Sequence, residues 1–231
     1  MSKYWQSMQE KISSISAKVS GASRWLRCEG VTRDTSSVTH CGYEKAKRAL
    51  DLVILLGLAP WVSVPFATVA VLVKLTSRGP VFFVSDRVGK DEVIFRMFKF
   101  RTMNVGTPAV ATHLLEHADS RLTPIGGFLR RTSLDELPQL INIAYGDMSI
   151  VGPRPALYNQ DDLIALRRVK GVNQLIPGLT GWAQINGRDE IAIPKKVELD
   201  AYYLESRGTL FDVEIILKTI RKVLFGSDIS H

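Results

Sequence analysis

The sequence predicts helices around a small strand pair, with one broken apolar segment seated in a membrane from a single side. Three observations carry this. A run of 22 residues without a charge, from Leu52 to Val73, has two prolines at its middle. Two short segments of alternating apolar character follow, joined through Gly89-Lys90-Asp91. Near both ends of the chain, apolar residues recur at spacings of three and four with cations around the rest of the wheel, the pattern of surface-lying helices.

With 231 residues the chain can hold one sizeable core, and two cysteines, Cys28 and Cys41, exclude a disulfide scaffold. Thiols far apart in a polar segment fit a reducing, cytosol-facing location. A net charge of +7 and a pI near 9.5 predict anionic partners: nucleic acid, anionic lipid or a phosphorylated small molecule. The uncharged run argues against nucleic acid. Three parts are expected: an extension over 1–45, a membrane hairpin over 46–77, and a cytosolic domain over 78–231 that ends in an interfacial helix.

The extension places Trp5, Met8, Ile12, Ile15, Val19, Ala22 and Leu26 on one face. Such a helix can lie on an anionic surface, pair with a second copy to make a homodimer, or dock on the domain, and its spacing fits all three. The first thirty residues hold no apolar core of a cleavable signal. Cys28 to Tyr43, rich in Thr, Ser and Gly, reads as a linker.

The uncharged run is long enough to cross a bilayer. Pro60 and Pro65, with Ser63 between them, break it at its middle, because a proline removes a helical hydrogen bond and a serine can satisfy a freed backbone group. Lys45, Lys47 and Arg48 precede it and Lys74 and Arg78 follow it, so a single crossing would have no preferred orientation. Two half-helices of roughly 16 Å each, about one leaflet, keep both charged ends on the cytoplasmic side. A kinked transmembrane helix is the alternative.

Val81–Val84 and Val93–Arg101 read as strands. On the second, Met97, Lys99 and Arg101 share a face opposite Phe98 and Phe100, which aims two cations together. Between Asn104 and Ser120, His113 and His117 stand four apart beside Glu116 and Asp119; without a cysteine or third histidine nearby, a surface loop or helix is preferred to a zinc site.

The next stretch is Arg130-Arg131-Thr132-Ser133-Leu134-Asp135-Glu136-Leu137-Pro138. Ser133 and Glu136 have capping-box spacing, which would put both acids in the first turn of a helix whose dipole favours negative charge. Pro138 breaks the local rule, and such breaks concentrate at functional sites. Leu137, Leu140, Ile141 and Ala144 give this helix an apolar stripe, and Gly146-Asp147 ends it. In Gly152-Pro153-Arg154-Pro155 two fixed φ angles bracket one arginine, so its planar guanidinium is held ready for a phosphate or a base edge. Asp161–Lys170 reads as a helix. Pro177-Gly178, Gly181-Trp182 and Asn186-Gly187 mark loops in which Trp182 suits an interface or a stacking role. Pro194 suits the start of a helix. The last helix carries Leu210, Val213, Ile216, Leu217, Ile220 and Leu224 on one side with Lys218, Arg221 and Lys222 near the other.

Adjacent acids suit a nucleophile with a metal ligand better than a glycosidase pair, which needs carboxyl groups roughly 5 to 9.5 Å apart. The separated cations suit phosphoryl oxygens, and Mg²⁺ held by one or two carboxylates plus substrate phosphates is the common way to neutralise them. Phosphoryl transfer at a membrane surface is the implied reaction.

Lys99-Phe100-Arg101-Thr102-Met103, the run from Leu129 to Leu140, Gly146-Asp147-Met148-Ser149 through Pro155, and Pro177-Gly178-Leu179-Thr180-Gly181-Trp182-Ala183-Gln184 resemble the signatures of the bacterial sugar transferases, the monotopic polyprenyl-phosphate phosphoglycosyl transferases. The resemblance covers about Lys47 to Leu224. It implies an α/β fold with a small antiparallel sheet, a re-entrant helix-break-helix hairpin in the inner leaflet, and membrane-surface helices. It also implies transfer of a sugar 1-phosphate from a UDP-sugar, expected to be a 2-acetamido sugar, to undecaprenyl phosphate. The setting it implies is the cytosolic face of a bacterial inner membrane, at the start of surface polysaccharide or glycoconjugate synthesis. Asp135 is then the nucleophile, Glu136 with Asp135 supports Mg²⁺, and Lys99, Arg101, Arg130, Arg131 and Arg154 are the substrate-binding cations. In the family the hairpin usually breaks at an adjacent Ser-Pro; here Val64 separates Ser63 from Pro65. A phosphohydrolase of lipid-linked pyrophosphates could use the same acids and metal. A non-catalytic scaffold on anionic lipid would need the hairpin but not Asp135-Glu136.

Overall fold

The structure, a computed structural model, describes residues 35–107, 118–187 and 191–225. The N-terminal amphipathic helix and the His113/His117 pair lie outside the described residues.

The chain opens on a long helix, α1 (Thr35–Thr76), which runs through both Pro60 and Pro65. It begins inside the segment expected to be a linker, and it crosses the expected boundary at 46 without interruption. Nor does it divide into two half-helices at Ser63 and Pro65. The hydroxyls of Ser63 and Thr68 donate to the carbonyls of Pro60 and Val64 at 2.8 and 2.9 Å. These are ordinary back-bonds to carbonyls one turn earlier; the carbonyls that Pro60 and Pro65 leave without a helical N–H are those of Leu56 and Trp61, and the continuity of α1 rests on the local adjustment by which apolar helices tolerate proline.

β1 (Phe82–Val88) and β2 (Ile94–Phe100) form an antiparallel pair in the register Phe82 to Phe100 and Val88 to Ile94. Their turn contains a short 3₁₀ segment, Lys90–Glu92, in which Asp91 and Glu92 have positive φ. After it come α2 (Gly126–Arg131), a 3₁₀ turn at Leu134–Glu136, and α3 (Gln139–Tyr145). β3 (Ser149–Val151) pairs in parallel with β4 (Gly178–Thr180), and α4 (Asp161–Val169) forms the crossover between them. α5 (Trp182–Ile185), α6 (Ile193–Ser206, with Pro194 in its first turn) and α7 (Thr209–Phe225) complete the described chain. The antiparallel pair expected from the sequence is present; the parallel β3–β4 pair is a second small sheet that loop-rich composition concealed.

One apolar core joins these pieces. Phe95 and Met97 from β2, Ile143 from α3, Ile150 and Val151 from β3, Tyr203 from α6 and Ile215 from α7 are all buried in it. A second cluster packs Val69 and Val73 of α1 on Phe100 and Leu129. Between its two docked ends α1 is bare: Val53, Leu56, Trp61 and Val64 are 66%, 76%, 79% and 70% exposed. Bare apolar area of this extent marks a membrane or partner surface.

The final helix turns most of its expected apolar stripe outward, while Ile216 packs on the main core. Leu210, Val213, Leu217 and Ile220 are exposed, whereas Asp212 and Ile215 are buried. The helix docks through Asp212, Ile215 and Ile216 and leaves the rest of the stripe exposed, so both the docking and the interfacial readings find a face. Trp182 is packed within the protein, its ring 5.0 Å from that of Phe211 and 4.9 Å from the Lys218 ammonium.

Candidate active site

Ser133 does not cap a helix. It has φ 56°, a left-handed conformation uncommon outside glycine, and it makes no side-chain cap hydrogen bond. α3 starts only after Pro138, whose φ of −64° suits a helix entrance, so the missing proline N–H interrupts nothing. The capping box expected from the Ser-x-x-Glu spacing is therefore replaced by a tight 3₁₀ turn between α2 and α3. That turn leaves Glu136 to bond outside its own helix, and it packs against β2.

There Lys99 lies 2.7 Å from Glu136 Oε1 and 3.6 Å from Asp135 Oδ2. Arg154 Nη2 reaches the same Oε1 at 3.1 Å. Asp135 is buried, at 7% exposure, and among the described residues no hydrogen bond reaches it. Burial pushes its carboxyl above the usual aspartate range, against the opposing pull of Lys99. Burial alone would raise Glu136 too, but the charges and hydrogen bonds of Lys99 and Arg154 hold it well below the usual range. Two neighbouring acids are thus driven apart, one into a fixed anion and the other into a carboxylate with few partners. Such a separation marks a division of labour between the pair.

The cations divide as well. Lys99, Arg154 and Arg130 face the acids, Arg130 through its charge on Asp135 and a 3.0 Å bond from Nε to Thr102 Oγ1. Arg101, expected to be aimed with Lys99, turns instead to the end of α1, where Nη2 donates to Ser77 O at 3.0 Å and Ser77 Oγ at 2.8 Å. The reason is local: β2 ends at Phe100, so strand alternation no longer fixes the direction of Arg101. Arg131 is exposed.

The Arg154 loop is held by backbone. Gly152 N–H donates to Thr180 O at 2.8 Å and Gly178 N–H to Pro153 O at 2.9 Å. The strands approach so closely that a Cβ on Gly178 would stand 2.1 Å from Gly152 N. Arg167 then clasps the loop: Nη1 donates to Arg154 O at 2.9 Å, while Nε and Nη2 bind the buried Asp200 at 3.0 and 2.7 Å. On the other flank Asn142, fully buried, accepts from Phe98 N–H at 3.0 Å and donates to Arg96 O at 2.7 Å. It completes the edge of β2 and fixes Lys99 against Glu136. Asn142, Arg167 and Asp200 gave no sequence signal, since a polar residue within a helical pattern reads as part of a solvated face.

Residues 42–226 match the profile of the bacterial sugar transferase family. The chain belongs to the bacterial sugar transferases. This sugar transferase is 39% identical over 185 residues to an uncharacterized sugar transferase of Bacillus subtilis (strain 168), EpsL, covering 80% of this chain and 90% of that one. It is 41% identical over 184 residues to the UDP-glucose:undecaprenyl-phosphate glucose-1-phosphate transferase of Escherichia coli (strain K12), covering 76% of this chain but 39% of that one. A UDP-N-acetylgalactosamine-undecaprenyl-phosphate N-acetylgalactosaminephosphotransferase of Aeromonas hydrophila is 36% identical over 193 residues, with 80% of this chain and 45% of that one aligned. The sugar transferase thus spans nearly all of some relatives and less than half of others.

Among the described residues no three metal-ligating side chains converge. Two adjacent carboxylates remain, and the hydrogen bonds that Lys99 and Arg154 make to Glu136 both go to Oε1. Hard oxygens, few in number, fit Mg²⁺ completed by water and substrate phosphate.

Proposed function

We propose that this chain transfers a sugar 1-phosphate from a UDP-sugar to undecaprenyl phosphate through a covalent phosphosugar on Asp135. The carrying observation is the contrast between Asp135, buried and without a hydrogen-bond donor among the described residues, and Glu136, pinned by Lys99 and Arg154. A poorly solvated carboxylate makes a good attacking group, and it needs no base at neutral pH. An Asp135 oxygen bonds to the sugar-bearing phosphorus; the bond from that phosphorus to the bridging oxygen breaks, and UMP departs with its electron pair. An oxygen of undecaprenyl phosphate then attacks the same phosphorus, and Asp135 leaves as a carboxylate. Lys99 and Arg154 supply fixed positive charge beside the diphosphate, the main electrostatic aid such a step needs. Mg²⁺, held by Glu136 and Asp135, would neutralise diphosphate oxygens and ease UMP departure. The 2-acetamido sugar expected from the sequence competes with glucose, because relatives are named for transferases of both kinds.

The embedding is one-sided on this reading, from the cytosolic face of the inner membrane, and α1 supports the one-sidedness. Lys47 and Asp51 near its start and Val69 and Val73 near its end are all buried in the described structure. A helix whose two ends dock on one domain would have to carry that domain into the bilayer in order to cross it. The bare middle of α1 and the exposed stripe of α7 are the surfaces offered to lipid.

Intact-protein mass spectrometry after mixing with donor alone tests the mechanism. The wild type should gain one phosphosugar and release UMP, and Asp135→Asn should do neither. Normal turnover without that adduct in quenched wild type favours direct displacement. A panel of UDP-sugars in the same assay identifies the donor.

A further inference from the structure

One turn of α1, just before its bare apolar stretch, grips three other elements. Lys47 Nζ lies 2.7 Å from Asp212 of α7, a buried carboxylate that also accepts from Tyr43 and Tyr203 at 2.7 Å each. Arg48 donates through Nη1 to Ile143 O and through Nη2 to Ala144 O at 2.8 Å, carbonyls at the C-terminal end of α3. Asp51, 2% exposed, accepts the N–H of Ile150 in β3 at 3.1 Å.

Two of these grips lead straight to the active site. α3 begins at Gln139, three residues after Glu136, and a cation on its last carbonyls suits the dipole there. Ile150 stands four residues before Arg154, on a strand whose extension is locked to β4 by the Gly152–Thr180 bond. Asp51 and Arg48 therefore touch the roots of the two elements whose tips meet in the Arg154–Glu136 pair.

Asp51 is buried beside the charges of Lys47 and Arg48 and the Ser149 hydroxyl, yet the one hydrogen bond of good geometry that it makes among the described residues is from the Ile150 N–H. Burial still raises its carboxyl above the usual range, so an apolar residue would pack there at lower desolvation cost. What the carboxylate adds over leucine is direction: a fixed acceptor that sets the height of β3 against α1.

We propose that Asp51 and Arg48 are positioning residues, which hold Arg154 and Glu136 in register through β3 and α3 and so tie donor binding to the seating of α1. The inference rests on the reading of Arg154 as a donor-phosphate contact. A misplacement near 1 Å at such a site costs on the order of a hundredfold in rate, so a small slip of β3 is enough to be seen.

The test uses the full chain in nanodiscs, with donor KM, acceptor KM, kcat and Tm measured for each variant. Asp51→Leu should stay folded yet raise donor KM on the order of tenfold with acceptor KM within about twofold. Asp51→Asn, whose amide oxygen can still accept from Ile150, should recover most of that loss. Hydrogen exchange at the Ile150 amide should speed up in the leucine variant and not in the asparagine variant. If Asp51→Leu does not accumulate, Arg48→Gln carries the same expectation. In an Arg154→Lys background, Asp51→Leu should add little. Full additivity of the two losses, or a leucine variant that loses Tm while its active fraction keeps a wild-type donor KM, overturns the proposal. Wild-type donor KM in Arg154→Lys alone overturns the reading of the site and takes this inference with it, whereas additivity overturns the inference and leaves that reading standing.

Discussion

Lys99 and Glu136 meet at 2.7 Å, and the same ammonium stands 3.6 Å from Asp135. One cation thus serves two acids unequally: it fixes Glu136 as an anion and only partly offsets the burial of Asp135. Lys99→Met removes that charge from both. Activity should fall by about a hundredfold or more, the scale set by losing one charged stabiliser at a reacting centre. The acid limb of the rate profile should also move to higher pH, because Asp135 must ionise without its strongest electrostatic support. Rates measured across pH 5 to 9 check both; an unmoved limb would separate Lys99 from the ionisation of Asp135.

A stability measurement in EDTA isolates Asp135 itself. Its folded pKa lies above the unfolded value of roughly 3.9, so the ionised group opposes folding above the folded pKa and is neutral in effect below the unfolded one. Asp135→Asn should therefore raise Tm at pH 7.5, and the gain should vanish as pH approaches about 4. Glu136 runs the opposite way: its contribution is present above roughly 4.3 and is lost as pH falls through its lower folded pKa. Glu136→Gln should accordingly lower Tm at pH 7.5. Thermal melts of the three proteins at several pH values decide the signs, and a destabilised Asp135→Asn at neutral pH would contradict the burial argument.

How far the sequence could be read depended on whether a signal was local. The strand pair followed from short alternating apolar segments on either side of Gly89-Lys90-Asp91, and the apolar helical segment, though not its continuity, from an uncharged run. Asp135 and Glu136 stood out as adjacent acids shortly before a proline, Arg154 as a cation fixed between two prolines, and Lys99 as one of two cations on a strand face. The capping box misled, since Ser-x-x-Glu spacing is shared by helices and by this tight turn, and a left-handed serine leaves no mark in composition. Prolines at 60 and 65 gave a break because the lost hydrogen bonds are a local signal, whereas the packing of both flanks of α1 on the domain is not. Arg101 was placed with Lys99 by strand parity that ends one residue earlier. The supports, Asn142 under β2 and Arg167 with Asp200 under the Arg154 loop, exist only through contacts between distant segments, and single polar residues in helical stretches do not announce them.

The Arg154 loop depends on glycine for want of room. Gly178→Ala places a methyl 2.1 Å from Gly152 N and 2.6 Å from its Cα, which only backbone movement can relieve. A loss of about 2 kcal/mol is expected, within the usual range for overpacking, together with a rise in donor KM larger than that in acceptor KM. Chemical denaturation and two-substrate kinetics read the two effects separately. Should stability fall with donor KM unchanged, the β3–β4 contact would matter for folding and not for the aim of Arg154.

The last prediction concerns the sidedness of α1. A straight helix from Asp51 to Val69 covers about 27 Å at ~1.5 Å per residue, close to the thickness of a bilayer core, so length alone would permit a crossing. The docked ends argue the other way: Lys47 is bound to Asp212 of α7, and Val73 is packed on Phe100 of β2, elements of one folded unit. Cations also flank both ends of the apolar run, and a crossing would leave one set on the far side against the usual bias. Single cysteines introduced beside Lys47 and beside Arg78, in a chain lacking its native Cys28 and Cys41, should both react with an impermeant maleimide from the cytosolic face of sealed inverted vesicles. Neither should react in right-side-out vesicles until they are permeabilised. Labelling from opposite faces would mean that α1 crosses, and that the docking of its two ends on one domain does not persist in lipid. Labelling from one face leaves open whether the helix bends within the leaflet, which distance measurements between the same two cysteines resolve: a separation well under the straight-helix span of about 47 Å between 47 and 78 places a bend near Ser63 and Pro65.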